Sequence, residues 1–387
     1  MTSYNRVVID LGALQANFLA IQAAVGPGVD VLAMVKSDAY GHGLLRSALS
    51  LVTVGATHFG VAEIDEGIAL RQAGVSGSIV VFLGWDGADE LIDYRLTPVV
   101  FDLGVLKRLS ARAVARQVRI GVQLKVDVGM GRFGILPAEV PSFVAALGDL
   151  PGIYLAGILS HFPMADSDDG VTRAQNTIFV QVVDALRSQP GMKTGQVPSV
   201  HIANSAAVMA CPESHHDLVR PGIALYGGYP ADDAVCRSRL ALAPVMSFLT
   251  RVLQLKEVPA GYGVSYGHLH VTTRSTRLAV LPVGYADGYL RSLTGHAQVL
   301  IRGQRAPVCG RICMNACVVD VSAIPEVSVG DEVVLLGRQE GPMGVGEITV
   351  DEIAGWMKTI HYEVMCLFGN SNQREYVGEM SEALIAG

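Results

Sequence analysis

The sequence is poor in the features that mark a protein acting on large or charged partners. It lacks a strong charge of one sign: 36 acidic residues face 29 Lys and Arg, a formal net charge of -7, which gives no basic field for nucleic acid or an anionic membrane surface. It lacks long apolar runs, because no window reaches roughly 18 uncharged apolar residues, and the opening MTSYNRVVIDLG has no basic segment leading into an apolar one. No membrane span or secretion signal is expected, and the expected location is the cytoplasm. Cysteine is scarce: six in 387 residues, with Cys309, Cys313 and Cys317 at x3 spacing rather than in CxxC pairs. Buried reduced thiols are expected, and no metal. The glycine fingerprint GxGxxG is missing from the first strand-to-helix turn, where KSDAYGHG stands instead, so a dinucleotide site is not expected there.

What the chain does have is apolar mass: half its residues are hydrophobic and only 17% are charged. Eight strand-like runs alternate with helical segments: VDVLAMVK (29–36), HFGVA (58–62), SIVVFLG (78–84), LTPVVF (96–101), RIGVQLKVD (119–127), YLAGILSHF (154–162), SVHIAN (199–204) and LVRPGIALYG (218–227). Between them lie candidate helices such as EIDEGIALRQAG, ending at Gly74, and VTRAQNTIFVQVVDALRSQ. Eight β-α units with continuously apolar strands fit a closed parallel (β/α)8 barrel, whose strands are covered on both faces; an open doubly wound sheet is the alternative. After about residue 237 short strands follow one another between Gly, Pro and Asp turns, with one helix at VDEIAGWMK. The expected organisation is an α/β barrel over 11–237 and a mainly β domain over 238–387, joined by an N-terminal strand within 1–10.

Barrel active sites lie at the C-terminal ends of the strands, which makes position along a strand informative. Lys36 closes the first strand, Lys125 and Asp127 the fifth with Arg132 just beyond, His161 the sixth, and Asn204 and Ser205 the seventh. One strand-end lysine or histidine is ordinarily a solvated side chain; several together on one rim are not. The turns after strands seven and eight are the usual phosphate cradle of such barrels. Here they offer Ser205 as a helix N-cap and the amides of Gly222 and Ile223 on a turn set by Pro221. A phosphate site opposite a strand-end lysine suggests pyridoxal 5'-phosphate, whose aldehyde needs an amine.

The blocks AMVKSDAYGHG, KVDVGMGRFG, SHF, HIANSAA, RPGIALYG, VSYGHLH, LPVGYADGY and GRICMNACVVD resemble, in order, those of the alanine racemase family. The resemblance implies a pyridoxal-phosphate-dependent racemase of small amino acids, a homodimer whose active sites are shared between subunits. It implies that Lys36 carries the cofactor and acts as one base, while Tyr266 of the partner subunit acts as the other. Tyr40, Asn204, Ser205, Gly222 and Ile223 are implied at the phosphate, Arg220 at the pyridine nitrogen and His161 beneath the ring beside the Tyr266 network. Arg132 and the backbone of Met314 are implied at the substrate carboxylate. Lys125 matches a position carbamylated in many members, and Tyr285 falls among the supporting residues. A phenol ionises near pH 10, so phenolate at pH 7 costs about 4 kcal/mol without nearby positive charge; His161 and the arginines are the expected source.

Two positions depart from the family pattern: Asn315, where aspartate is usual, and Asn370, where most members carry a tyrosine at the cofactor phosphate and substrate methyl. The lost volume and charge suggest a pocket that also admits serine, or a wider set of small amino acids. Two other readings share the fold. A non-enzymatic pyridoxal-phosphate carrier would need neither the β domain nor Tyr266. A barrel decarboxylase would want an acid in place of Arg220 and a catalytic cysteine among Cys309, Cys313 and Cys317.

Overall fold

A computed structural model describes residues 4–84, 86–188, 198–230 and 234–378. The chain divides into two compact units, one of residues 14–39 and 44–243, the other of residues 1–13, 40–43 and 244–387. Gln189, the last residue of the second candidate helix, lies outside the described residues.

The first unit contains eight parallel strands in the order 199–201, 153–159, 120–125, 97–100, 78–81, 58–61, 30–34 and 218–219. The ring is nearly closed. Across the remaining gap the Asp217 amide donates to Val200 O (3.1 Å) and the Arg220 amide to Ala203 O (2.9 Å). Strands such as Ile120–Lys125 are buried at every position, as parallel strands covered on both faces must be. They are shorter than their apolar runs suggest. Lys36, Asp127 and His161 lie past the last paired residues, and the run expected at 218–227 is only Leu218–Val219 followed by a 3-10 turn at Ile223–Tyr226. Pro221 offers no ladder N–H, so the strand stops there.

The turn behind Lys36 is unusual. Ser37, Asp38, Ala39 and Tyr40 all have φ of 54–55°, four consecutive left-handed residues without a glycine. Each L-residue in that conformation costs about 1–2 kcal/mol. Gly41 (φ 84°) and Gly43 (φ 91°) continue the bend; a Cβ on Gly41 would lie 2.5 Å from Met365 O.

The second unit is built on a largely antiparallel sheet in which Arg6–Asp10 lies between Met246–Arg251 and Arg374–Val377. Its strands alternate buried and partly exposed residues, as in Met246–Arg251 and Cys317–Asp320, the pattern of a sheet with one wet face. Phe248, Phe368 and Tyr289 form an aromatic core, with ring centroids 4.9 and 6.5 Å apart. Among the described residues no helix is long and apolar enough to cross a membrane, and no group of three His, Cys, Asp or Glu side chains could hold a metal ion.

Candidate active site

The barrel rim is organised around Arg220, which is 4% exposed. Its Nη1 donates to His201 Nδ1 (2.9 Å), and its Nη2 is placed to donate to Ser160 O (2.6 Å), Ile202 O (3.1 Å) and His161 Nδ1 (3.2 Å). Because the guanidinium has only donors, both histidines must present a lone pair at Nδ1 and carry their hydrogen on Nε2. His201 Nε2 meets Gln123 Oε1 at 2.5 Å, which agrees. Burial, Arg220 and Lys125 hold both histidines well below the usual histidine range. His161 is therefore neutral, and the positive charge expected of it for the tyrosine base must come from elsewhere. Burial lowers Arg220 itself to about 9, so it remains a cation at pH 7.

Lys125, at the end of its strand, is 8% exposed. Burial is the first reason its pKa falls well below the usual lysine value; Arg220, Arg132 and Lys36 add to it, and Asp127 opposes. Lys36 is thus close enough to Lys125 and His161 to act on both. One carboxylate, Asp127, faces these four cations, and it is occupied with backbone. It accepts from the amides of Gly129 (2.9 Å), Met130 (2.7 Å) and Arg132 (3.2 Å). Burial works against its ionisation, but these amides outweigh it and keep the pKa below the usual carboxylate value. The loop is closed at its base by Asp127 N to Ile135 O (2.9 Å) and Ile135 N to Lys125 O (3.0 Å). At its tip the exposed Arg132 lies over Phe133 (5.8 Å), which stacks on Phe101 (5.7 Å).

At the other edge of the rim the helix Ser205–Ala210 is capped by Asn204, not Ser205. Asn204 Oδ1 accepts from Ala207 N (3.0 Å). Ser205 Oγ instead accepts from the amides of Gly222 (2.9 Å) and Ala224 (3.3 Å). Gly222 was expected to turn its amide to a phosphate; here Ser205 takes that amide and keeps its own hydroxyl hydrogen to offer.

The β unit carries the remaining candidates. Tyr40 belongs to it, with its ring 6.2 Å from Tyr362; burial first, then Tyr362 and Cys366, push its pKa upward, so it serves as a neutral donor. Tyr266 opens a 3-10 turn and is 70% exposed. Ser265 Oγ, just before it, donates to Arg311 O (2.6 Å) and sits 3.3 Å from Cys313 Sγ, tying this turn to the segment bearing Met314 and Asn315. The amides of Tyr285 and Ala286 donate to Cys313 O (3.1 Å) and Met314 O (3.0 Å). With its carbonyl engaged, Met314 has its N–H to give a ligand. Asn315 and Asn370 are exposed. Burial raises Cys309 to about 11 and raises Cys317 further, so neither is the ready thiolate a decarboxylase would use.

Sequence reading did not single out Gln123 and His201. A signal existed: Gln123 is two residues before Lys125 on an otherwise apolar strand, hence on the same face, and a buried amide there requires a partner.

Comparison with known proteins agrees with this geometry. Residues 9–230 match the family described as alanine racemase, N-terminal domain, and residues 245–376 the alanine racemase, C-terminal domain. An alanine racemase from Desulfovibrio desulfuricans is 40% identical over 387 residues, covering 97% of this chain and all of the relative. The solved alanine racemase of D-cycloserine-producing Streptomyces lavendulae superposes with a TM-score of 0.88 at 35% identity, covering 98% of each chain. That of Bartonella henselae, described with covalently bound pyridoxal phosphate, gives 0.86 at 25% identity, covering 97% of this chain and all of that one. A nearly closed barrel with its cations on one rim, followed by a β unit presenting Tyr266 and Met314, and matched over nearly its full length, belongs to the alanine racemase family of amino-acid racemases.

Proposed function

We propose that this racemase interconverts L- and D-alanine with pyridoxal phosphate by a two-base mechanism, in a homodimer that brings Tyr266 of one subunit to the barrel rim of the other. The observation that carries the reading is Arg220, a buried guanidinium still charged at pH 7 and surrounded by neutral imidazoles. The donor set suits the cofactor: an amine at Lys36, a hydroxyl at Ser205 beside a tight turn of amides, a neutral phenol at Tyr40, and a rim on which four cations face one carboxylate. Bound there, pyridoxal phosphate supplies an aldehyde for the substrate amine and a ring that acidifies Cα–H.

The chain's own residues do the rest. Ser205, Asn204, Tyr40 and the Ile223 amide would hold the phosphate, with the Gly222 amide serving Ser205, and His161 would lie against the ring. Arg220 would meet the ring nitrogen and, as a donor that keeps its proton, would leave that nitrogen unprotonated, which would favour proton return to Cα over transamination. Arg132 and the Met314 N–H take the substrate carboxylate. Lys36 and Tyr266 exchange the Cα proton from opposite faces, because a single base would return it to the face it left. Tyr266, Leu269 and Met314 are 70%, 59% and 56% exposed, large side chains that a second copy would cover. Lys125, whose burial eases loss of its proton, would in its unprotonated form attack carbon dioxide; its nitrogen would form a carbamate and release one proton, giving an anion that steadies Arg132.

Incubating L-alanine with the protein and pyridoxal phosphate in D2O should give D-alanine deuterated at Cα. Tyr266→Phe should stop racemisation while one enantiomer still exchanges. No exchange in the wild type would sink the reading. Asparagine at 315 and 370, where the family pattern has aspartate and tyrosine, points to a second substrate, serine. If kcat/KM for L-serine lies roughly a thousandfold below that for L-alanine, and Asn370→Tyr leaves the ratio unchanged, serine is not a substrate.

A further inference from the structure

We infer that Glu66 is a positioning residue for Lys36, acting through the left-handed turn that follows it. This rests on the proposed role of Lys36 as the cofactor lysine. Glu66 is in the first turn of the helix Ile64–Gln72, on the neighbouring βα unit of the barrel. Its Oε2 accepts from the amides of Ala62 (2.8 Å) and Glu63 (3.3 Å), and its Oε1 from the amide of Asp38 (3.2 Å). One carboxylate therefore ties the end of the strand His58–Val61 to the second left-handed residue after Lys36.

The turn needs such a tie. None of Ser37, Asp38, Ala39 and Tyr40 is a glycine, so the local chain gains nothing from φ near 55°. The conformation persists only where surrounding contacts impose it. The contacts that impose it include Ala39 N to Val35 O (2.8 Å), Asp38 Oδ1 accepting from Leu44 N (2.7 Å), and Glu66. Of these, Glu66 alone reaches the turn from another unit of the barrel. Relaxing the turn toward right-handed dihedrals would redirect the chain immediately after Lys36 and with it the amine.

The bland reading is that Glu66 merely caps its own helix, since it also accepts the amide of the N-cap residue Glu63. Glu66→Gln separates the two. Its single carbonyl oxygen is best used on Ala62 and Glu63, which preserves the cap; its NH2 then faces the Asp38 N–H, donor against donor. Glu63→Ala is the complement, trimming the reciprocal half of the cap and leaving the strap.

The test uses wild type, Glu66→Gln and Glu63→Ala, each titrated with pyridoxal phosphate. Attachment at Lys36 is read by borohydride reduction and mass spectrometry, beside kcat, KM and amide exchange of the peptide covering Ser37–Tyr40. Loss of one charge-assisted hydrogen bond predicts that Glu66→Gln attaches the cofactor about 10- to 100-fold more weakly. kcat should fall with it while KM for alanine stays within about threefold, because Arg132 is untouched. Exchange of Ser37–Tyr40 should quicken in Glu66→Gln only. Wild-type attachment, kcat and protection in Glu66→Gln, or losses equal to those of Glu63→Ala, would overturn the assignment. If the wild type itself takes up no cofactor at Lys36, the functional reading fails instead. Exchange across Ser37–Tyr40 still decides the strap, unchanged protection in Glu66→Gln overturning it.

Discussion

Replacing Lys125 with methionine should make the barrel unit more stable at pH 7, by an amount that shrinks as the pH rises. In the unfolded chain this lysine holds its proton up to about pH 10.4. In the native state, burial and three neighbouring cations release it well below that. Between the two values the unfolded state binds more protons, so wild-type stability rises with pH and falls again toward the native pKa. Methionine carries no such proton. The gap between variant and wild type should therefore close as the pH rises above the native pKa, at a rate approaching about 1.4 kcal/mol per pH unit. The assay is urea unfolding in carbon-dioxide-free buffer, read by pulse-labelled amide exchange on the strand Ile120–Lys125 so that the barrel is followed apart from the β unit. Bicarbonate should then stabilise and activate the wild type alone, since only an unprotonated amine takes up carbon dioxide. A gap that stays constant or widens between pH 7 and 9 would show that the amine keeps its proton inside the barrel, and the electrostatic argument would fail.

Other outcomes follow from single groups. Tyr289 is fully buried and its hydroxyl has no hydrogen-bond partner; Tyr289→Phe should recover about 1–3 kcal/mol and raise the melting temperature of the β unit in calorimetry, and a lower value would reveal a hidden partner. Asp127→Ala removes the acceptor of three loop amides. KM for alanine should rise about tenfold or more, with kcat changed less, in steady-state kinetics.

The barrel strands were legible because parallel strands covered on both faces leave unbroken apolar runs, and the basic side chains gathered on one rim because they lie at or just beyond the strand ends. The strand limits were less legible, since the residues that end a strand here are the ones the site recruits. Little local announces the left-handed turn after Lys36: Ser, Ala and Tyr disfavour it, Asp visits it only singly, and of its partners Leu44 is near in sequence while Glu66 is distant. The choice between Asn204 and Ser205 as helix cap was equally beyond local rules, since both side chains cap well, and the turn at Gly222 decides it by occupying the serine. The buried group around Arg220 was half visible: the arginine through its motif, His201 and Gln123 only as polar interruptions in apolar strands. For His161, no motif reveals that burial and an arginine donating to Nδ1 lower its pKa.

The placement of Arg6–Asp10 bears on how the protein is made. Val7 lies in register with Phe248 on one side and Arg374 on the other, so this segment leaves the ribosome long before either strand it pairs with. At 5–20 residues per second that interval is about 20 to 70 s, and for roughly its first two-thirds the strand has neither ladder partner. The barrel, whose strands pair mostly with their neighbours in sequence, has no comparable delay. Newly made chains therefore pass through a stage with a finished barrel and a nascent β sheet whose exposed edges invite pairing with other chains. That stage, rather than the mature enzyme, is where chaperones and aggregation compete.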